Sequence, residues 1–96
     1  MQQANEKEVQ NIKTFSKALG LVIKRHRKAI KKSVYSISAE VSIAKNSWGL
    51  VEKAEVLYPS IITVVKIAEA LDMKPSKLLD EVYTELGTNF TISDIS

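Results

Sequence analysis

The chain has 96 residues, 45% of them hydrophobic, and a formal net charge of +3. That length supports one modest core, and the composition belongs to a globular chain rather than a disordered one. With no cysteine and a single histidine, His26, the sequence excludes disulfides, thiolate metal sites, thiol nucleophiles and histidine-rich metal clusters.

Apolar residues at Ile12, Phe15, Leu19, Val22 and Ile23 keep three-to-four spacing. This predicts a first helix over about residues 10–31, with His26 and Ile30 continuing its inner face. The same segment concentrates positive charge: residues 1–32 carry nine Lys/Arg against two acids, residues 33–96 five against nine. The peak from Lys24 to Lys32 suits either a solvated helix face or a polyanion held through counterion release. Ser33 has the chemistry of an N-cap, so a second helix is expected over about 34–41, with Ile37 and Val41 inward. A turn around Ser42 and Ile43 leads to a third helix over about 45–53, with Trp48 and Val51 one turn apart. After a loop, Ala54–Pro59, a fourth helix is expected over about 60–71, with Ile61, Val64, Val65, Ala68 and Leu71 inward. Pro75 opens a fifth over about 75–85 that buries Leu78, Leu79 and Val82. Beyond Gly87 the tail alternates Phe90 and Ile92 with polar neighbours, as a short strand or a flexible end would. The expectation is an all-α, five-helix orthogonal bundle: one domain over 11–86, an N-terminal extension 1–10 and a tail 87–96. Such an architecture names no function by itself.

Several short strings occur in a fixed order. Leu19-Gly20 is followed by Ile23 and then Arg27-Lys28; Ser33 lies six residues after Arg27, and Glu52 nineteen after Ser33. Pro59-Ser60, the run from Val65 to Leu71 and Ser76-Lys77-Leu78-Leu79 come next. In this order and spacing the chain resembles the Cro and phage-repressor type of helix-turn-helix regulators, the lambda-repressor-like family, over about residues 19–83. The resemblance implies a prokaryotic DNA-binding regulator, a repressor acting as a homodimer on double-stranded DNA, with no cofactor and no metal.

In that family the third helix enters the major groove, and its first residues meet base edges. Position by position the role falls on Lys45, Asn46, Gly49 and Leu50. Lysine can donate to guanine, asparagine can bond adenine, and leucine can touch only a thymine methyl or a sugar. Lys32, Ser33, Val34, Ser36, Ser47 and Lys53 fall at the phosphate-facing positions, which fix register without reading sequence. Structural roles fall on four residues. Arg27 and Glu52 would pair to tie helix 1 to the end of helix 3, and Ser38 is the small residue at the helix 2–helix 3 crossing. Trp48 replaces the usual aliphatic residue and is expected to anchor the core.

The chain departs from the family pattern at four places. Val34 stands where the family has a backbone-bracing Gln, and Ser42 where it has a glycine of positive φ, a cost on the order of 1 kcal/mol. Ala54 replaces the glycine that ends helix 3. The loop Glu55-Val56-Leu57-Tyr58 is apolar where basic or polar residues are common, so Val56, Leu57 and Tyr58 are expected to fold inward or to meet a partner protein.

Two functional readings follow. One is sequence-specific DNA binding; the other is a helix-turn-helix fold used as a protein-interaction module, such as an antitoxin or accessory regulator. An enzyme is not expected, because the lone His26 sits in a basic helix and Gly20, Gly49 and Gly87 are too scattered for a nucleotide-binding loop. The start, MQQANEKEVQ, is polar, and no apolar run reaches the roughly 18 residues of a membrane span. A cytoplasmic protein without a membrane partner is the expectation, and Asn89-Phe90-Thr91 is then a coincidental glycosylation match. For dimerisation the sequence offers helix 5 with the tail, and the N-terminal end of helix 1.

Overall fold

A computed structural model describes residues 5–94. It holds five helices, α1 (Glu6–Ala29), α2 (Val34–Glu40), α3 (Lys45–Glu52), α4 (Ile61–Ala70) and α5 (Pro75–Leu86), and no strand among the described residues. α1 packs on α3 and α5, α2 on α3 and α4, and α4 on α5. None of these helices is long and apolar enough to cross a membrane.

The helix starts follow from capping chemistry. Asn5, Ser33 and Ser60 each accept from the backbone N–H three residues on, in α1, α2 and α4 respectively. α1 therefore begins at Glu6, several residues before the expected start, with Glu6 and Glu8 in its first turn where the helix dipole favours acids. The proposed boundary at residue 11 thus falls inside a helix. Apolar periodicity is silent over this first turn; the Asn5–Glu8 capping pair is the signal that marks it.

The helix ends share one device. Lys31, Ser42, Ala54 and Asp72 all adopt φ between 57° and 59°, and each follows the last residues of α1 to α4. In each case the next N–H reaches back five residues: Lys32 to Arg27, Ile43 to Ser38, Glu55 to Leu50 and Met73 to Ala68. This is the Schellman arrangement, built four times without glycine. Ser42 and Ala54 thus take the left-handed conformation that glycine would hold at lower cost.

The core is formed by Leu19, Val22 and Ile23 of α1, Ile37 of α2, Trp48 and Val51 of α3, Val64, Ile67 and Ala68 of α4, and Leu78 and Val82 of α5. Several expected core positions differ. Ile30 and Ile61 are exposed, because each lies at a helix end that overhangs the core, and Val65 and Leu79 are only half-buried. Ile67 is fully buried instead, since the inner stripe of α4 runs Val64, Ile67, Ala68, Leu71. His26 is half-buried and faces Glu81 rather than the core. The described part of the tail, residues 87–94, forms no strand. Phe90 packs with Phe15 and Tyr83, ring centres 5.9–6.5 Å apart, and the Ile92 carbonyl accepts from Asn11. Its side chains are thus used on α1 and α5, and no strand among the described residues stands beside it to pair with its backbone.

Candidate nucleic-acid interface

α3 is divided lengthwise. At about 100° per residue, Trp48 and Val51 share the buried side, whereas Lys45, Asn46, Gly49, Leu50 and Lys53 share the outward one. The five outward residues and Val34 of α2 line one shallow concavity. Gly49 has open space where a side chain would stand, so a ligand can approach its backbone. Ala44, the α3 N-cap, makes no side-chain capping bond. The N–H groups of the first turn are therefore turned toward the same end as Lys45 and Asn46.

What holds α3 in place is a buried polar lock. Arg27 donates Nε and Nη2 to the two Glu52 oxygens at 2.6 and 2.8 Å, and its Nη1 to the Lys32 carbonyl at 2.8 Å. Trp48 Nε1 donates to the same Glu52 carboxylate at 2.7 Å. One arginine thus fixes both the end of α3 and the entry to α2. Burial pushes the Glu52 carboxyl up, but the hydrogen bonds from Arg27 and Trp48, with the charges of Arg27 and Lys24, outweigh it and leave it below its ordinary value. The hydrogen bond from Glu52 likewise raises the Arg27 guanidinium against its own desolvation. Gly20 completes the seam: a Cβ there would lie 2.5 Å from the Glu52 carbonyl oxygen and 2.8 Å from that of Val51. Ser38 is buried at the α2–α3 contact, its hydroxyl donating to the Tyr35 carbonyl.

The remaining candidate residues are distributed differently. Ser33 is committed to capping α2, while Ser36 and Ser47 are exposed outside the concavity. Lys32 forms an exposed ion pair with Glu40 at 2.7 Å. Half of the Lys/Arg residues in the basic peak are paired within the fold: Arg25 with Glu85 and Glu81, Arg27 with Glu52, Lys32 with Glu40. Lys28, Lys31, Lys45 and Lys53 have no ion-pair partner among the described residues. Lys28 and Lys31, both within the basic run read as suited to a polyanion, are exposed, and so is Tyr35, which the sequence reading did not single out. The acid eight residues beyond Lys32 was the available hint that Lys32 would be occupied. The loop Val56–Tyr58 splits: Val56 packs on the core, Leu57 is half-buried and Tyr58 is exposed.

The molecule is thus a small all-helical protein with a polar, partly apolar concavity on an outward helix face. Comparison with family models, with curated proteins and with solved structures gives no match.

Proposed function

We propose that the chain is a sequence-specific DNA-binding regulator with a lambda-repressor-like helix-turn-helix fold, acting as a homodimer. The observation that carries the reading is the outward stripe of α3: Lys45, Asn46, Gly49, Leu50 and Lys53 lie together, on a helix held from behind by Trp48 and the Arg27–Glu52 pair. Such a stripe offers a guanine donor and an adenine partner at the leading end and a phosphate contact at the other. The Leu19-to-Leu79 resemblance supports the same assignment, and unpaired Lys28 and Lys31 add sequence-independent attraction. On this reading the protein is a binding protein and not an enzyme.

Selection of bound DNA from a random pool, followed by mobility shift, tests it. A palindromic site with half-sites about 34 Å apart is expected. Lys45→Ala with Asn46→Ala should abolish preference for that site while leaving weak, salt-sensitive binding. Absence of any salt-sensitive binding at about 50 mM salt would overturn the proposal.

A second reading, a protein-interaction module, is favoured by the apolar members of the concavity, Val34 and Leu50, and by the exposed Tyr58. Regulation that survives the Lys45/Asn46 double variant but is lost on Leu57→Asp would select it.

A further inference from the structure

Three of the four most exposed large apolar side chains among the described residues, Tyr58, Ile61 and Ile62, fall within one five-residue stretch leading into α4. A groove of about 390 Å³ lies between α1, the α3–α4 loop, α4 and α5, walled by Phe15, Leu19, Leu57, Val64, Leu79 and the tail residue Ile92. Tyr58 and Ile61 stand on its rim, 72% and 65% exposed, and the next residue, Ile62, is 62% exposed. From Tyr58 to Val65 the chain has no charged side chain, although 26% of all its residues are charged.

We propose that this face is where two copies of the chain associate, with Tyr58, Ile61 and Ile62 of one copy seated at the groove of the other. A two-fold interface must be self-complementary, so a single patch has to carry both a projection and a recess. Here the two adjoin. The three projecting side chains leave on the order of 350 Å² of largely apolar surface in water, the size at which exposed patches mark association sites. A standard interface takes roughly 800 Å² from each partner, which the three side chains approach by half and the groove beside them extends. Charge points the same way. Two copies of a net-positive chain repel each other wherever their lysines meet, and the uncharged stretch from Tyr58 to Val65 lets them meet without opposed charges, as the centre of an interface requires. The surfaces that the sequence offered for dimerisation meet beside this groove: the tail lies on α1 and α5 through Phe15, Tyr83, Phe90 and the Asn11–Ile92 hydrogen bond, and Phe15 and Ile92 join its wall.

The inference rests on the homodimer in the function proposed above, not on DNA recognition, and its test contains no DNA. Sedimentation equilibrium of the full chain is compared with that of Ile61→Asp/Ile62→Asp. These are the first two residues of α4, where an acid complements the helix dipole, so the double variant is expected to fold. Circular dichroism checks this, and should the variant unfold, Tyr58→Lys, outside any helix, takes its place. The wild type should be dimeric at about 100 µM, and the variant should associate at least about 100-fold more weakly. A monomeric wild type overturns the inference and leaves the groove for a different protein; a variant that dimerises as well as the wild type overturns it too. A dimer that binds no DNA would uphold the interface and remove the DNA reading, and a monomer that binds DNA would do the reverse.

Discussion

Arg25, His26 and Arg27 are consecutive on α1, yet they tie it to two different helices in two different settings. Arg27 reaches Glu52 of α3, with side chains 11% and 6% exposed. Arg25 and His26 reach Glu85 and Glu81 of α5 at 2.8 and 2.7 Å, through side chains that are 24–49% exposed. The bond lengths at the two seams are nearly the same, so distance does not separate them; access of water does. A pair in water competes with hydration and is worth about 0–1 kcal/mol. A buried pair adds little over an apolar replacement, but breaking it strands a charge out of water and costs about 3–5 kcal/mol. One seam of α1 is therefore fixed by its charges, while the other relies on packing, chiefly Phe15 against Tyr83 and Phe90.

The largest effect that would break this contrast is Glu52→Gln. It leaves Arg27 unneutralised beneath α3 and should lower unfolding free energy by about 3 kcal/mol in urea titrations at neutral pH. Trp48, the only tryptophan and hydrogen-bonded to Glu52, reports the change directly in its fluorescence. The pH dependence has a definite sign. Because the folded Glu52 carboxyl lies below its ordinary value, its contribution is complete above the ordinary carboxylate range and is lost as pH falls through the depressed value. The gap between wild type and Glu52→Gln should therefore close in acid. A gap that persists there would place the effect in packing rather than charge.

Gly20→Ala is expected to come next in size. On helix propensity alone this change should stabilise α1 by about 0.5–1 kcal/mol. The new methyl would, however, meet the backbone carbonyls of Val51 and Glu52, which cannot step aside as a side chain can. A net loss of about 1–2 kcal/mol is expected in thermal or urea melts. Stabilisation instead would mean that the α1–α3 seam can open, and that α3 is not held at a fixed height.

The two seams were unequally legible in the sequence. Helix positions came through because Ser33, Ser60 and Pro75 are local signals and the apolar stripes of α1 and α5 are regular. The pairing of Arg27 with Glu52 came from the spacing of a resemblance, and the structure adds the Trp48 indole, which an i, i+4 spacing could have suggested. The α1–α5 seam was not readable. Its polar partners lie 55–60 residues apart and its aromatic ones farther still, and nothing local says that Phe90 will return to Phe15 or that Glu81 will face His26. Charge misled for the same reason. A basic run looks free in a sequence, whereas folding pairs Arg25, Arg27 and Lys32 and leaves Lys24, Lys28 and Lys31 without an ion-pair partner among the described residues. Ile61 was expected inward because its spacing fits the inner stripe; only the place where the core ends shows that the first turn of α4 projects beyond it.

The smallest expected effect is the sharpest control. Glu81→Gln removes a carboxylate that the His26 hydrogen bond holds below its ordinary value against a lesser opposing burial, helped by the charges of His26, Lys77 and Arg25. The sign of its pH dependence is that of Glu52, with stability lost as pH falls, so acid alone does not tell the two seams apart. Salt does. At about 1 M the screening length is roughly 3 Å, which suppresses an exposed pair and leaves a buried bidentate one in place. Glu81→Gln should cost less than about 1 kcal/mol in dilute buffer and nothing measurable at high salt, while the cost of Glu52→Gln stays. If the two variants lose equally, or respond equally to salt, burial is not what distinguishes the seams. The helix α3 would then be no more firmly set on α1 than α5 is, and the case for a rigid reading surface at Lys45 and Asn46 would weaken with it.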